Sequence, residues 1–205
     1  MIIVSETAFG HEVADYLCRQ EGFTPLTLAA ALDRSWCSSE TPFVGIVLTG
    51  GAPEKLEQLT ARLLQAGIPH ACVVLSDHQL RCGPLVVPGK TACYACTTKR
   101  LLSLVETPRT AMMDLNLQRF HEQQPHNALR GFTPALVMMA GLRLKQYASL
   151  PEEQFGNLTA ISFSSNRTAS SHVVALHGCD CRGNRRVSQA QGTALLASHL
   201  KGVLQ

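Results

Sequence analysis

Two pairs of cysteines constrain this chain more than any other feature of its sequence. Cys93 and Cys96 form a C-x-x-C turn within "PGKTACYAC", and Cys179 and Cys181 lie far downstream in "HGCDC". No cysteine occurs between Cys96 and Cys179. A C-x-x-C turn folds the backbone so that two sulfurs face one ion, and zinc takes a tetrahedral set of thiolates and imidazoles. One pair cannot close a structural site, so the fold is expected to carry the second pair to the first. Four thiolates would leave no open coordination position, which makes such a centre a contribution to folding rather than to reaction. The second pair has a single intervening residue, a tighter chelate than usual, and His177 stands as a substitute for one cysteine. Ordinary thiols or a disulfide-prone pair are the competing account.

The remaining four of the eight cysteines, Cys18, Cys37, Cys72 and Cys82, are scattered. Cys72 in an apolar strand pattern and Cys18 in a helix pattern read as small buried hydrophobes. The N-terminus "MIIVSETAFGHEV" has no basic region before its apolar residues, so it is no secretory signal. No apolar run approaches the ~20 residues of a membrane span. The chain is therefore expected to be cytoplasmic, where clustered thiols favour metal or catalysis over disulfides. Lysine plus arginine exceeds aspartate plus glutamate by 18 − 15 = 3. With basic residues clustered only at Lys99-Arg100 and at Arg182, Arg185 and Arg186, this is too weak for a nucleic-acid reader, and a solvated face is the plainer reading.

The first half alternates strand and helix. "MIIV" reads as a buried strand, followed by a helix opening at Gly10 with Val13, Ala14, Leu17 and Cys18 on one face and stopping at Gly22. "FTPLTL" is a weaker strand. "FVGIVLTGG" is a strong one, and Pro53 then starts a helix with Leu56, Leu59, Leu63 and Leu64 at helical spacing, ended by Gly67 and Pro69. "HACVVL" is the next strand. The alternation argues an α/β fold, a parallel sheet with helices packed on it.

The second half is less regular. A helix is expected near Thr97 to Leu104, then a polar crossover, Thr107 to Arg130, whose His121 and His126 have no ligand-like spacing to the cysteines. "FTPALVMMAGLRLKQYA" (Phe132 to Ala148) is almost continuously apolar, so this helix should be buried on most sides, with Met138 and Met139 as core filler. "NLTAISFS" and "SSHVVALH" alternate like an antiparallel hairpin. Ser188 with Gln191 makes a capping box for a last helix bearing Leu195, Leu196, Leu200 and Val203.

The run "VGIVLTGG", then "GPLVVPGKTACYAC", then "GFTPALVMMAGLRL" and "HGCDC" resembles the ThiF-like domain of peptide cyclodehydratases, which serve thiazole/oxazole-modified microcin and related ribosomal-peptide pathways. The resemblance spreads over most of the chain and is sharpest at Gly83 to Gly89 followed by the C-x-x-C pair. It implies a single ThiF-like domain over residues 1–205, with a Rossmann-like part to residue 92 and a zinc-linked part from residue 93 that ends in a clamped C-terminal hairpin. It carries the zinc ligands over to Cys93, Cys96, Cys179 and Cys181, where the family usually has two residues between the last pair. It implies as partners a YcaO-type enzyme, which uses ATP to activate backbone amides, and a precursor peptide, reached directly or through a separate leader-binding protein. A homodimer is also allowed. Many relatives begin with a winged-helix module that grips the leader peptide; this chain is expected to lack it.

ATP is not expected as a cofactor. Activating enzymes of this fold hold phosphate at a glycine-rich turn after the first strand. Here that turn reads "VSETAFGHE"; only Gly10 matches, and Glu6 places negative charge where phosphate would sit. The strand that ends "LTGG" lacks the magnesium-binding aspartate, and Asp33 with Arg34, the only ribose-site candidates, reads better as a helix-surface pair. The resemblance thus points to a non-catalytic subunit of a YcaO-dependent complex. An ATP-dependent adenylating enzyme acting on a peptide or carrier-protein C-terminus is the alternative.

Overall fold

The computed structural model describes residues 1–19, 22–33, 36, 41–50, 53–103, 112, 116, 120 and 131–182. The expected last helix from Ser188, Arg34, and all but three single positions of the Thr107 to Arg130 crossover lie outside these residues.

Strands β1 (Ile2–Ser5), β2 (Thr24–Thr27), β3 (Val44–Thr49) and β4 (His70–Leu75) pair in parallel. They alternate with helices α1 (Ala8–Cys18), α2 (Leu28–Ala31) and α3 (Pro53–Gln65). β5 (Gln79–Val86), β6 (Asn157–Ser162) and β7 (Arg167–His172) then extend the same sheet antiparallel, giving the order β2-β1-β3-β4-β5-β6-β7. The α/β, Rossmann-like expectation is met, but the sheet is mixed rather than parallel. The cause is the short connection between β4 and β5: a parallel strand needs a crossover of a dozen or more residues, and Ser76 to His78 can only turn the chain back.

β3 reads as a continuous apolar run because both its faces are covered. Phe43 and Val47 face a core completed by α1 and by α5 (Pro134–Ala148), while Val44, Ile46 and Leu48 face Leu56, Leu59 and Leu63 of α3. α1 starts at Ala8, two residues before Gly10, because the Thr7 side chain caps it by accepting from the Gly10 N–H at 3.4 Å. Gly10 serves packing instead: a Cβ there would lie 2.9 Å from both the Ser5 Cβ and the Val47 carbonyl oxygen, so only glycine lets α1 lie this close to the sheet.

α5 departs from its expectation. Val137, Ala140, Gly141, Leu144 and Tyr147 are buried against α1 and the sheet, but Met138, Met139 and Leu142 are 49%, 41% and 52% exposed. The two methionines are therefore not core filler. The sheet covers only one side of this helix, and the apolar residues of the other side meet solvent. Cys72 is buried as expected and Cys18 is half-buried. No helix among the described residues is long and apolar enough to cross a membrane.

His70, at the start of β4, is fully buried. Its Nδ1 lies 2.9 Å from the Ile68 carbonyl, and its Nε2 has no partner. Burial, opposed by the bond to Ile68, lowers its pKa to about 4. The folded chain thus refuses a proton that the unfolded chain accepts near pH 6.5. Its contribution is fully present above that pH and is lost as pH falls toward 4, by about 3 kcal/mol in all. Urea unfolding of wild type and His70→Leu between pH 7 and pH 4 checks this, since the variant should show a shallower decline across that window.

Candidate metal centre

The C-x-x-C pair sits where an irregular segment becomes helix α4 (Tyr94–Ser103). After β5 the chain turns at Val87 to Thr91, where the amides of Lys90 and Thr91 both donate to the Val87 carbonyl. The Thr91 hydroxyl accepts from the Val87 N–H at 2.9 Å, pinning the turn. Cys93 then precedes the helix and Cys96 lies in its first turn, so the helix starts earlier than the expected Thr97. The two sulfurs are 3.7 Å apart.

The second pair follows β7. A turn closed by the Cys179 N–H to the Leu176 carbonyl, with Gly178 at φ 78°, reverses the chain, and Asp180–Arg182 form a 3-10 turn. That turn explains how one intervening residue suffices. In an extended strand, residues two apart are about 6.6 Å apart, too far to share an ion. The tight turn instead delivers Cys179 to 3.7 Å from Cys93 and Cys181 to 3.9 Å from Cys96, sulfur to sulfur.

All four sulfurs lie within 4.8 Å of one another. A regular tetrahedron with metal–sulfur bonds of ~2.3 Å has edges of ~3.8 Å, and the separations of 3.7, 3.7 and 3.9 Å straddle that value. A disulfide needs ~2.05 Å, so no pair here is in bonding geometry. The four cysteines that the sequence singles out are thus brought together and could hold a metal ion, compatibly with zinc. His177 is exposed and is not among the clustered residues.

The surroundings shape the donors. The Leu176 N–H donates to the Cys96 sulfur at 3.3 Å, the kind of outer bond that orients a metal ligand. Burial pushes the Cys93 thiol up to about 11 and raises that of Cys181 as well. At Cys179 burial also acts upward, but hydrogen bonds from the Cys181 backbone and the neighbouring thiols outweigh it and lower its pKa. A metal that binds here must therefore displace protons held by burial, and acid works against it.

Arg100 is the residue that sequence reasoning missed. It does not belong to a solvated basic face. From one turn beyond Cys96 on α4, its guanidinium donates to the carbonyls of Val174 and Ala175, fastening the segment that leads to the second pair. Its position, four residues after Cys96 on the same helix face, was the available signal.

The turn after β1, where no nucleotide is expected, is built differently. In this strand order the crevice between the carboxyl ends of β1 and β3 is where a nucleotide would enter. There the Thr7 and Thr49 hydroxyls hydrogen-bond each other at 2.9 Å, joining the start of α1 to the end of β3. Glu6 stands beside them with its carboxylate 3.2 Å from the Lys55 ammonium, so its charge is partly offset by an exposed partner.

No protein-family model matches the chain, and no curated protein matches it in sequence. Solved structures do. The chain is similar to the heterocyclase TruD, with a TM-score of 0.58 and 15% identity over 93% of this chain and 28% of that one. It is similar to a chain of the E. coli microcin synthetase McbBCD complex, with a TM-score of 0.61 and 13% identity over 88% of this chain and 67% of that one. E. coli MccB matches with a TM-score of 0.51 and 14% identity, over 90% of this chain and 58% of that one. The chain spans little more than a quarter of TruD. At these identities the likeness is one of fold.

Metal analysis of the purified protein should find one zinc per chain. Cys96→Ser and Cys181→Ser should each abolish it, and His177→Ala should leave it unchanged. With free zinc near 1,000 Kd the ion adds about 4 kcal/mol, so a chelator should lower Tm by roughly 10 °C.

Proposed function

We propose that the chain is a non-catalytic ThiF-like subunit of a peptide cyclodehydratase, working beside a YcaO-type enzyme that installs azoline rings in a ribosomal precursor peptide. The observation that carries this reading is the contrast between its two sites. The thiol cluster is assembled with tetrahedral spacing, whereas the turn that would cradle phosphate is given over to a threonine latch and an acidic side chain. A Cys93, Cys96, Cys179 and Cys181 zinc site then serves as a structural clamp, since four thiolates leave the ion no position for substrate. The fold shared with TruD and with McbBCD supports a place in this kind of chemistry.

On this reading the subunit contributes surface rather than reaction. α1 begins under its own Thr7 cap, so one of the amides that would meet a phosphate is already engaged. Activation of the peptide amide falls to the YcaO partner, and the present chain positions that partner and the precursor.

The purified chain should show no ATP–pyrophosphate exchange with candidate peptides. Added to its YcaO partner, precursor peptide and ATP, it should raise azoline formation at least about tenfold, read by the loss of one water mass per ring. Exchange activity by the chain alone would instead favour the adenylating alternative, and failure to stimulate any such partner would overturn the proposal.

A further inference from the structure

β7 is the outer strand of the sheet, and every one of its six residues is exposed. The hydrogen-bond phase of the sheet shows which of its backbone groups are free. In an antiparallel pair, directly opposed residues alternate between those that exchange hydrogen bonds and those that do not. The register that sets Asn157 opposite His172 sets Gly156 opposite Val173, and the Val173 N–H donates to the Gly156 carbonyl at 2.9 Å. Stepping by two, Ser171, Ala169 and Arg167 turn their amides toward β6. The other edge of β6 agrees: the Phe163 N–H donates to His78, so Ile161 and Thr159 bond to β5 and leave Leu158, Ala160 and Ser162 for β7. Thr168, Ser170 and His172 therefore direct both N–H and C=O away from the sheet.

Protected edges carry lysine, proline, a bulge or an inward charge. β7 has no lysine or proline, and its register against β6 runs unbroken from Arg167 to His172. Its side chains are mostly small: threonine, alanine and two serines lie between Arg167 and His172. On the face that bears the thiol cluster, Ala169 follows Ala160 and Arg81 in one cross-strand row, and Arg167 follows Ser162 in the next. No carboxylate occurs from Asn157 to Cys179.

We infer that the open edge of β7 binds an extended, acidic peptide segment of a partner chain, added antiparallel as an eighth strand. Main-chain hydrogen bonds to Thr168, Ser170 and His172 supply affinity, and Arg167, on the edge strand itself, favours carboxylates on the peptide's cluster-side face. A second copy of this chain is the poorer occupant. Pairing two copies of this edge would bring together two strands that carry no carboxylate, with nothing acidic to meet either Arg167. This inference stands apart from the proposed function, because it concerns an edge that the thiol cluster and the β1 turn do not use.

A fluorescein-labelled eight-residue peptide of alternating glutamate and valine, titrated by anisotropy into the full chain, tests it. Binding is expected, and the lysine–valine counterpart and the glutamate–valine peptide N-methylated at alternate amides should each bind at least roughly tenfold more weakly. Ser170→Pro removes an outward N–H without touching the β6 ladder and should weaken binding to a similar degree, whereas Ser170→Ala should retain it. The N-methylated peptide on wild type decides the matter if Ser170→Pro does not fold. The inference is overturned if the glutamate–valine peptide fails to bind, if N-methylation leaves its affinity unchanged, or if the edge instead pairs two copies into a dimer that Ser170→Pro dissolves.

Discussion

The convergence of four thiols is the constraint on which the later half of the chain depends. The segment from Val173 to Cys181 buries little beyond its two end residues. An apolar core that small does not hold a polypeptide segment in one place against its conformational entropy. What fixes it is a set of specific contacts: the Arg100 guanidinium on two carbonyls, the Leu176 amide on the Cys96 sulfur, and the sulfurs themselves. A tetrahedral ion would be held by these four sulfurs through metal–sulfur bonds, tying α4 to the end of the β6–β7 hairpin across a long excursion of chain.

The opposite end of the sheet shows a different use of the same architecture. The carboxyl ends of β1 and β3 form the crevice where open α/β sheets take their ligands. Here the 2.9 Å hydroxyl–hydroxyl bond between Thr7 and Thr49 spans that position, and Gly10 lets the helix lie tightly on the sheet beneath it. Close helix–strand contact at this glycine belongs to the packing of the fold.

Much of this was legible from residues alone. β3 and β4 stood out because burial on both faces leaves no polar interruption, and Pro53 and Gly67 bracket α3 by their fixed and permissive backbones. The pairing of the cysteine doublets followed from their clustering. Three features were hidden for physical reasons. β5 carries Gly83-Pro84 at its centre, a dipeptide that reads as a break in a strand. α1 appeared to open at Gly10 because the cap rests on a single threonine hydroxyl. The uniform apolarity of α5 gives no hint of which face is covered, since that depends on where α1 and the sheet lie. The single-residue spacing of the second pair reads as a tighter chelate than usual, and the 3-10 turn at Asp180–Arg182, which the sequence does not announce, is what accommodates it.

The uncovered side of α5 has a chemical consequence. Met138 and Met139 present two adjoining thioethers to solvent, within reach of peroxide. Oxidation there would replace hydrocarbon-like sulfur with strongly dipolar sulfoxide, while the inward stripe from Val137 to Tyr147 kept the helix seated. The stickiness of that surface is thus open to adjustment by the oxidation state of its environment, with the fold beneath it left intact.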